Sequence, residues 1–268
     1  MVAGFYPLAE VAERVGGDRV EVGNVTPAGV EPHDLEIAPD LVAEIQSADV
    51  VLYLGQGFQP AVEAAVGEAR GTAIDLLEGI DLLPAVEEEE EHGVVDEHIW
   101  LDPLLMIEVT DRVAEALKEI DPSNAAAFDA NAEAYRADLV ALDEVYRDGL
   151  AECERRTIVV SHAAFQYLTD RYGLRQEAIS GLSPEGEPDP ARLAELAELV
   201  RREGVTVVFT EDLVSPDVAD TLAGEAGVET EVLSPLEGLT EEQIASGADY
   251  RSVMEESLSK LRTALGCA

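Results

Sequence analysis

Apolar positions along this chain alternate between two periods. Segments with helical spacing are followed by short runs rich in Val and Ile, the pattern of an α/β fold with largely parallel strands. The pattern predicts helices at 7–15, 39–46 and 60–69, and strands at 19–25, 49–54 and 72–76. After residue 86 the alternation stops. Glu87 to Glu91 is an unbroken acidic run followed by His92-Gly93, a pattern that reads as a solvated loop. Asp102-Pro103 opens a helix reaching about Ile120, and Asp121-Pro122-Ser123 punctuates it, with Ser123 placed as an N-cap.

From Asn124 to about Cys153 there is no Pro, and Phe128, Tyr135, Leu139, Leu142, Val145 and Tyr146 recur at helical spacing. A helix of about thirty residues would be roughly 45 Å long, and at mid-chain it reads as a strut between two lobes. Alternation then restarts, with strands at 157–160, 205–210 and 230–233 and helices at 163–172, 190–203, 216–226 and 249–265. Residues 236–247 read as loop. The division implied is an N-terminal α/β lobe (1–121), a linking helix (122–153) and a C-terminal α/β lobe (154–268).

Charge changes this picture in one respect. The chain carries 17 basic and 57 acidic residues, a formal net charge of −40. Such a surface repels a phosphate backbone and excludes a nucleic-acid partner. The acids interleave with regular apolar positions, as in a folded protein from a salt-loving source whose self-repulsion is screened. No run of 18 or more apolar residues is present, so no segment reads as a membrane span. The amino terminus has neither a basic nor an apolar leader region, which leaves open a cytosolic protein or the mature or trimmed form of an exported one. Cys153 and Cys267 leave two readings open, a bond between them or two unrelated thiols.

The candidate chemistry lies with three of the four histidines and one glutamate. His162 ends the run Ile158-Val159-Val160-Ser161, at the carboxyl end of an expected parallel strand, where ligands of open α/β sheets bind. His33 and His98 lie in loops, and Glu237 follows the strand ending at Leu233. Three imidazoles and one carboxylate form a natural tetrahedral zinc set, and three nitrogens favour zinc over manganese. The four are far apart in sequence and form no local motif. Each taken alone is as well read as an ordinary loop side chain.

Phe5-Tyr6-Pro7, GVEPHDLE (29–36), HIWLDP (98–103), Ser161-His162-Ala163-Ala164-Phe165, ISGLSPEGEPDP (179–190) and SPLEGL (234–239) together are similar to the zinc- and manganese-specific solute-binding proteins of ABC importers. The resemblance covers the whole chain. It implies two α/β lobes joined by a long rigid helix, with one metal ion in the cleft between them. It further implies that His33 and His98 come from the amino-terminal lobe, His162 and Glu237 from the carboxy-terminal lobe, and that the ion is Zn2+ rather than Mn2+. Manganese members carry a carboxylate where His162 stands. The function implied is extracytoplasmic metal capture by a monomer that delivers to a membrane permease. Alternatives are a zinc hydrolase with Glu237 as general base, a manganese binder, and an adhesin-like member of the same family. Relatives have a histidine- and acid-rich loop where Glu87–Glu91 and His92 stand, and a leader that is not seen here.

Four further residues have assigned readings. Glu31 is a loop acid that could supply an alternative oxygen. Trp100 is a packing residue, Asp102 an N-cap or a partner of a ligand histidine, and Glu211 a strand-end acid lining the cleft or serving structure.

Overall fold

The computed structural model describes residues 1–33, 35–85, 94–184 and 189–268. The acidic run Glu87–Glu91 and His92 lie outside the described residues, as do Asp34 and residues 185–188. Among the described residues the backbone contacts divide the chain into two units. One comprises residues 1–82, 103–142 and 236–250, the other 83–102, 143–235 and 251–268.

In the first unit the strands are β1 (Val2–Ala3), β2 (Gly23–Asn24), β3 (Val50–Tyr53) and β4 (Thr72–Asp75), parallel throughout in the order β2-β1-β3-β4. Parallel neighbours require crossovers, and α1 (Tyr6–Gly16), α2 (Pro39–Ser47) and α3 (Pro60–Val66) supply them. Helix α1 buries Leu8, Val11, Ala12 and Val15, a single stripe at helical spacing. Val2, Val25, Ile45, Val51 and Val62 form one core between sheet and helices. The expected strand 19–25 shrinks to two residues. Gly17–Arg19 turn as a 3₁₀ helix, and β1 offers β2 only Val2 and Ala3 as partners.

The second unit repeats this plan. Its strands are β5 (Thr157–Val160), β6 (Arg175–Ala178), β7 (Val207–Thr210) and β8 (Glu229–Val232), all parallel, in the order β6-β5-β7-β8. Helices α6 (Gln166–Tyr172), α7 (Pro190–Glu203) and α8 (Asp217–Ala226) make the crossovers. Val159, Leu196, Val200, Val208 and Leu222 lead its core. In each sheet the strand order reverses beside the first strand, between β1 and β3 and between β5 and β7. Loops at the carboxyl ends of such strand pairs form the crevice that binds ligands in open α/β sheets.

Two helices close the middle of the chain, α4 (Pro103–Ile120) and the long helix α5 (Ala125–Gly149), which begins in the first unit and ends in the second. Helix α5 has 25 residues rather than about thirty. Its start is deferred because Ser123 and Asn124 bind the Asp121 carboxylate within a 3₁₀ turn at Pro122–Asn124. It stops at Gly149, where the Arg156 guanidinium takes the carbonyls of Leu150 and Ala151. Phe128, Ala132, Tyr135, Leu139, Leu142 and Tyr146 are buried, spaced alternately four and three residues apart. Two further helices follow, α9 (Glu241–Ser246) and α10 (Tyr250–Leu265). Helix α9 falls in the stretch read from sequence as loop. A capping box between Thr240 and Gln243 starts it. No helix among the described residues is long and apolar enough to cross a membrane.

The units exchange segments relative to chain order, and the candidate ligands divide between them accordingly. His98 belongs to the second unit. There Leu83 N donates to the Tyr167 hydroxyl (3.0 Å), which donates to the Asp96 carbonyl (2.7 Å), and Trp100 Nε1 donates to the Pro235 carbonyl (2.8 Å). Glu237 belongs to the first unit, where Leu239 accepts from Gly29 N (2.9 Å) and Asp249 pairs with Arg14 (2.8 Å). Each unit thus takes one of the four candidate residues from each half of the chain.

Candidate metal centre

In the first unit the loop after β2 carries His33. Thr26 Oγ1 donates to the Gly4 carbonyl (2.7 Å), and Gln59 Nε2 donates to Thr26 Oγ1 (3.0 Å) and to the Pro32 carbonyl (3.5 Å). A buried amide thus ties the loop to the end of β1. Gly4 is needed there, since a Cβ would stand 2.6 Å from Gln59 Oε1. The His33 ring meets Phe58 edge-on with centroids 4.7 Å apart, and its backbone N–H donates to Glu31 Oε1 (3.0 Å). Glu237 is 1% exposed, and its Oε1 lies 3.5 Å from His33 Nε2. The preceding Leu236 is fully buried with φ of +58°, an uncommon conformation for a residue with a side chain, which the surrounding packing must hold. Glu31 Oε1 lies 4.0 Å from His33 Nε2, so its observed role is to accept from the His33 backbone.

In the second unit His98 begins the 3₁₀ turn Ile99–Leu101, and His162 follows β5; both are fully buried. Their Nε2 atoms are 3.3 Å apart. His98 Nδ1 lies 2.8 Å from Asp96 Oδ1, and the same oxygen accepts from His98 N at 2.8 Å. His162 Nδ1 lies 2.7 Å from Glu211 Oε1, which also accepts from His162 N at 3.1 Å. Glu211 reaches His162 through strand pairing. Val159 of β5 is level with Val208 of β7, and each acid–histidine partner stands three residues further on.

Trp100 is buried with its ring 5.0 Å from that of His98, and Asp102 pairs with Arg171 Nε at 2.5 Å. Burial raises the Tyr167 hydroxyl well above its ordinary pKa, so this hydroxyl stays a neutral donor to the Asp96 carbonyl.

These contacts define what the groups can do. An ionised carboxylate only accepts hydrogen bonds, so one that faces Nδ1 of a neutral ring favours the Nδ1–H tautomer, in which Nε2 carries the lone pair. Two such lone pairs at 3.3 Å repel one another unless a cation lies between them. Zinc bonds of about 2.0–2.2 Å put two donors of a tetrahedron about 3.3–3.6 Å apart. The His98–His162 spacing of 3.3 Å and the His33–Glu237 spacing of 3.5 Å both have that length. Each unit by itself therefore presents one edge of a zinc-sized tetrahedron.

Asp96 is the residue that sequence reading passed over. Its signal was an acid two residues before a histidine ahead of a short apolar turn, a pattern shared by many surface loops.

Comparison with known proteins places the chain. The family model described as "ZnuA: Zinc-uptake complex component A periplasmic" matches residues 1–264. The zinc-binding lipoprotein AdcA of Streptococcus pneumoniae serotype 4 is 39% identical over 98% of this chain and 55% of its own length. The chain thus spans about half of that relative. The high-affinity zinc uptake system protein ZnuA of Bacillus subtilis is 36% identical over 99% of this chain and 87% of its own. Among solved structures, the Zn(II)-bound ZnuA-like domain of Streptococcus pneumoniae AdcA superposes with a TM-score of 0.83 at 38% identity, covering 98% of this chain and 97% of that one.

Proposed function

The chain belongs to the family of periplasmic zinc-uptake component A, and from that premise we propose that it captures Zn2+ outside the cytoplasm and delivers it to the membrane permease of an ABC importer. His33, His98, His162 and Glu237 are the ligands. Two of them come from each unit, and together they supply three nitrogens and one oxygen to a single ion.

The observation that carries this reading is the donor spacing. His98–His162 and His33–Glu237 each match a tetrahedral edge without any rearrangement inside their own unit. Three imidazole nitrogens favour zinc over manganese, which prefers oxygen. Four protein donors fill a tetrahedral shell and leave no position for a reacting water, so the ion is cargo and the chain acts as a binding protein rather than a hydrolase.

Elemental analysis of the purified protein, with zinc and manganese titrations of the wild type and of His162→Ala, tests the reading. One tightly held zinc per chain is expected, with affinity lowered more than about 100-fold in the variant, beyond the loss typical of an outer-shell partner. Unchanged zinc affinity in His162→Ala would remove it from the ligand set. Stronger binding of manganese than of zinc would overturn the choice of cargo.

A further inference from the structure

Two of the proposed ligands are held by the same device, built by two different routes. In each, one carboxylate oxygen meets both the backbone N–H and the ring Nδ1 of a single histidine: Asp96 Oδ1 for His98, and Glu211 Oε1 for His162. Asp96 does so from two residues upstream in the same loop. Glu211 does so from the neighbouring strand, by the register of β5 with β7. Asp96 is fully buried and Glu211 is 6% exposed, and both sit beside histidines that water does not reach.

The doubled contact on one oxygen fixes the ring in two ways. The backbone bond locates the carboxylate relative to the histidine Cα, and the Nδ1 bond then sets the ring's rotation about its side-chain torsions. With both rings fixed, the Nε2 atoms meet 3.3 Å apart. The carboxylate also decides the tautomer, because it cannot donate. An Nδ1–H bonded to a carboxylate makes the opposite nitrogen more basic and a stronger metal donor.

We propose that Asp96 and Glu211 are positioning residues for metal capture, which hold His98 and His162 as Nδ1–H tautomers with both Nε2 lone pairs aimed at one point. The proposal rests on the metal-capture reading above, since it takes the two histidines as ligands. Neither acid bonds the ion. The oxygen that faces each ring is already engaged, and its effect passes through the imidazole.

Glu211→Gln and Asp96→Asn test this, because each amide keeps the shape of the acid but can turn its NH2 towards Nδ1. Two readouts are needed. In metal-free protein, long-range nitrogen–proton correlation spectra of the imidazoles report which ring nitrogen carries the proton. Zinc titration against a competing chelator then reports affinity.

Wild-type His98 and His162 are expected as Nδ1–H tautomers. In Glu211→Gln, His162 is expected to gain the Nε2–H form and zinc affinity to fall about 10–100-fold, with His98 unchanged. Asp96→Asn should do the same to His98, and Glu211→Asp should recover part of the loss. An Nε2–H tautomer in the wild type overturns the proposal. So does a variant that keeps the Nδ1–H tautomer and binds zinc within about twofold of wild type. Should wild-type protein fail to bind zinc at all, the capture reading falls, while the tautomer spectra still decide the positioning role. Should either variant not fold, the other carries the test.

Discussion

The indole Nε1 of Trp100 donates to the backbone carbonyl of Pro235 at 2.8 Å, joining two residues that are 135 positions apart. One sits two residues after His98, the other two residues before Glu237. This bond anchors the His98 turn to the exit of β8, inside the second unit. It gives the buried Trp100 a defined task, where the sequence alone shows only a large apolar side chain.

Trp100→Phe removes the only indole and leaves a buried carbonyl without its donor. Lost packing and the unsatisfied acceptor together are expected to destabilise the fold by about 2–4 kcal/mol. Urea unfolding measures the change. A loss below about 1 kcal/mol would mean that water or another donor replaces the indole, and that the anchor is not specific.

Cys153 and Cys267 are bonded, although they lie 114 positions apart along the chain. The bond joins the segment after α5 to the residues after α10, where Arg155 N also donates to the Leu265 carbonyl. Closing so long a loop in the unfolded state is worth about 3–5 kcal/mol. Cys153→Ser/Cys267→Ser should lose stability by that order in chemical denaturation. The contacts that hold His98 and His162 involve neither cysteine, so zinc affinity of the folded variant should match wild type. An unchanged unfolding midpoint would show that the loop is already constrained by other means.

Glu203 at the end of α7 accepts from Thr157 Oγ1 at 2.7 Å and pairs with Arg175, at the starts of β5 and β6. The Thr157 hydrogen bond first, and the Arg175 partner second, lower its carboxyl to about 2 from an ordinary 4.5. A depressed folded-state value contributes stability that is fully present above the unfolded value. It is lost as pH falls through the folded one. The stability advantage of wild type over Glu203→Gln should therefore be constant above about pH 4.5 and decline towards pH 2. The group is partly exposed, so solvent screening keeps the contribution under about 1 kcal/mol. Unfolding curves across that window check it, and a difference that does not vary with pH would contradict the assignment.

The strands that were legible from sequence are those with apolar runs on a buried line. Val50–Tyr53, Thr157–Val160 and Val207–Thr210 read directly, because central parallel strands are covered on both faces. Strand β6 did not read at all. Arg175-Gln176-Glu177-Ala178 lies at a sheet edge, where its outer groups stay partly exposed and polar residues are tolerated. Helix α9 was legible and was passed over, since Thr240 to Gln243 spells a capping box. The length of α5 was overread because its ends are set by side chains, Asp121 and Arg156, that periodicity does not weigh.

By itself the sequence determined the class of fold, the residue types suited to a nitrogen-rich metal site, and the placement of His162 at the carboxyl end of a strand. These follow from local rules: side-chain period, turn chemistry and donor identity act within a few residues of chain. Only the tertiary structure decided which residues meet. The alignment of Val159 with Val208 brings Glu211 to His162, although they lie 49 positions apart. The packing of 83–102 with the second unit and of 236–250 with the first decides that His98 pairs with His162, and His33 with Glu237. Strand register and segment exchange are set by the fit of buried surfaces across the whole chain. No local stretch of sequence records that fit.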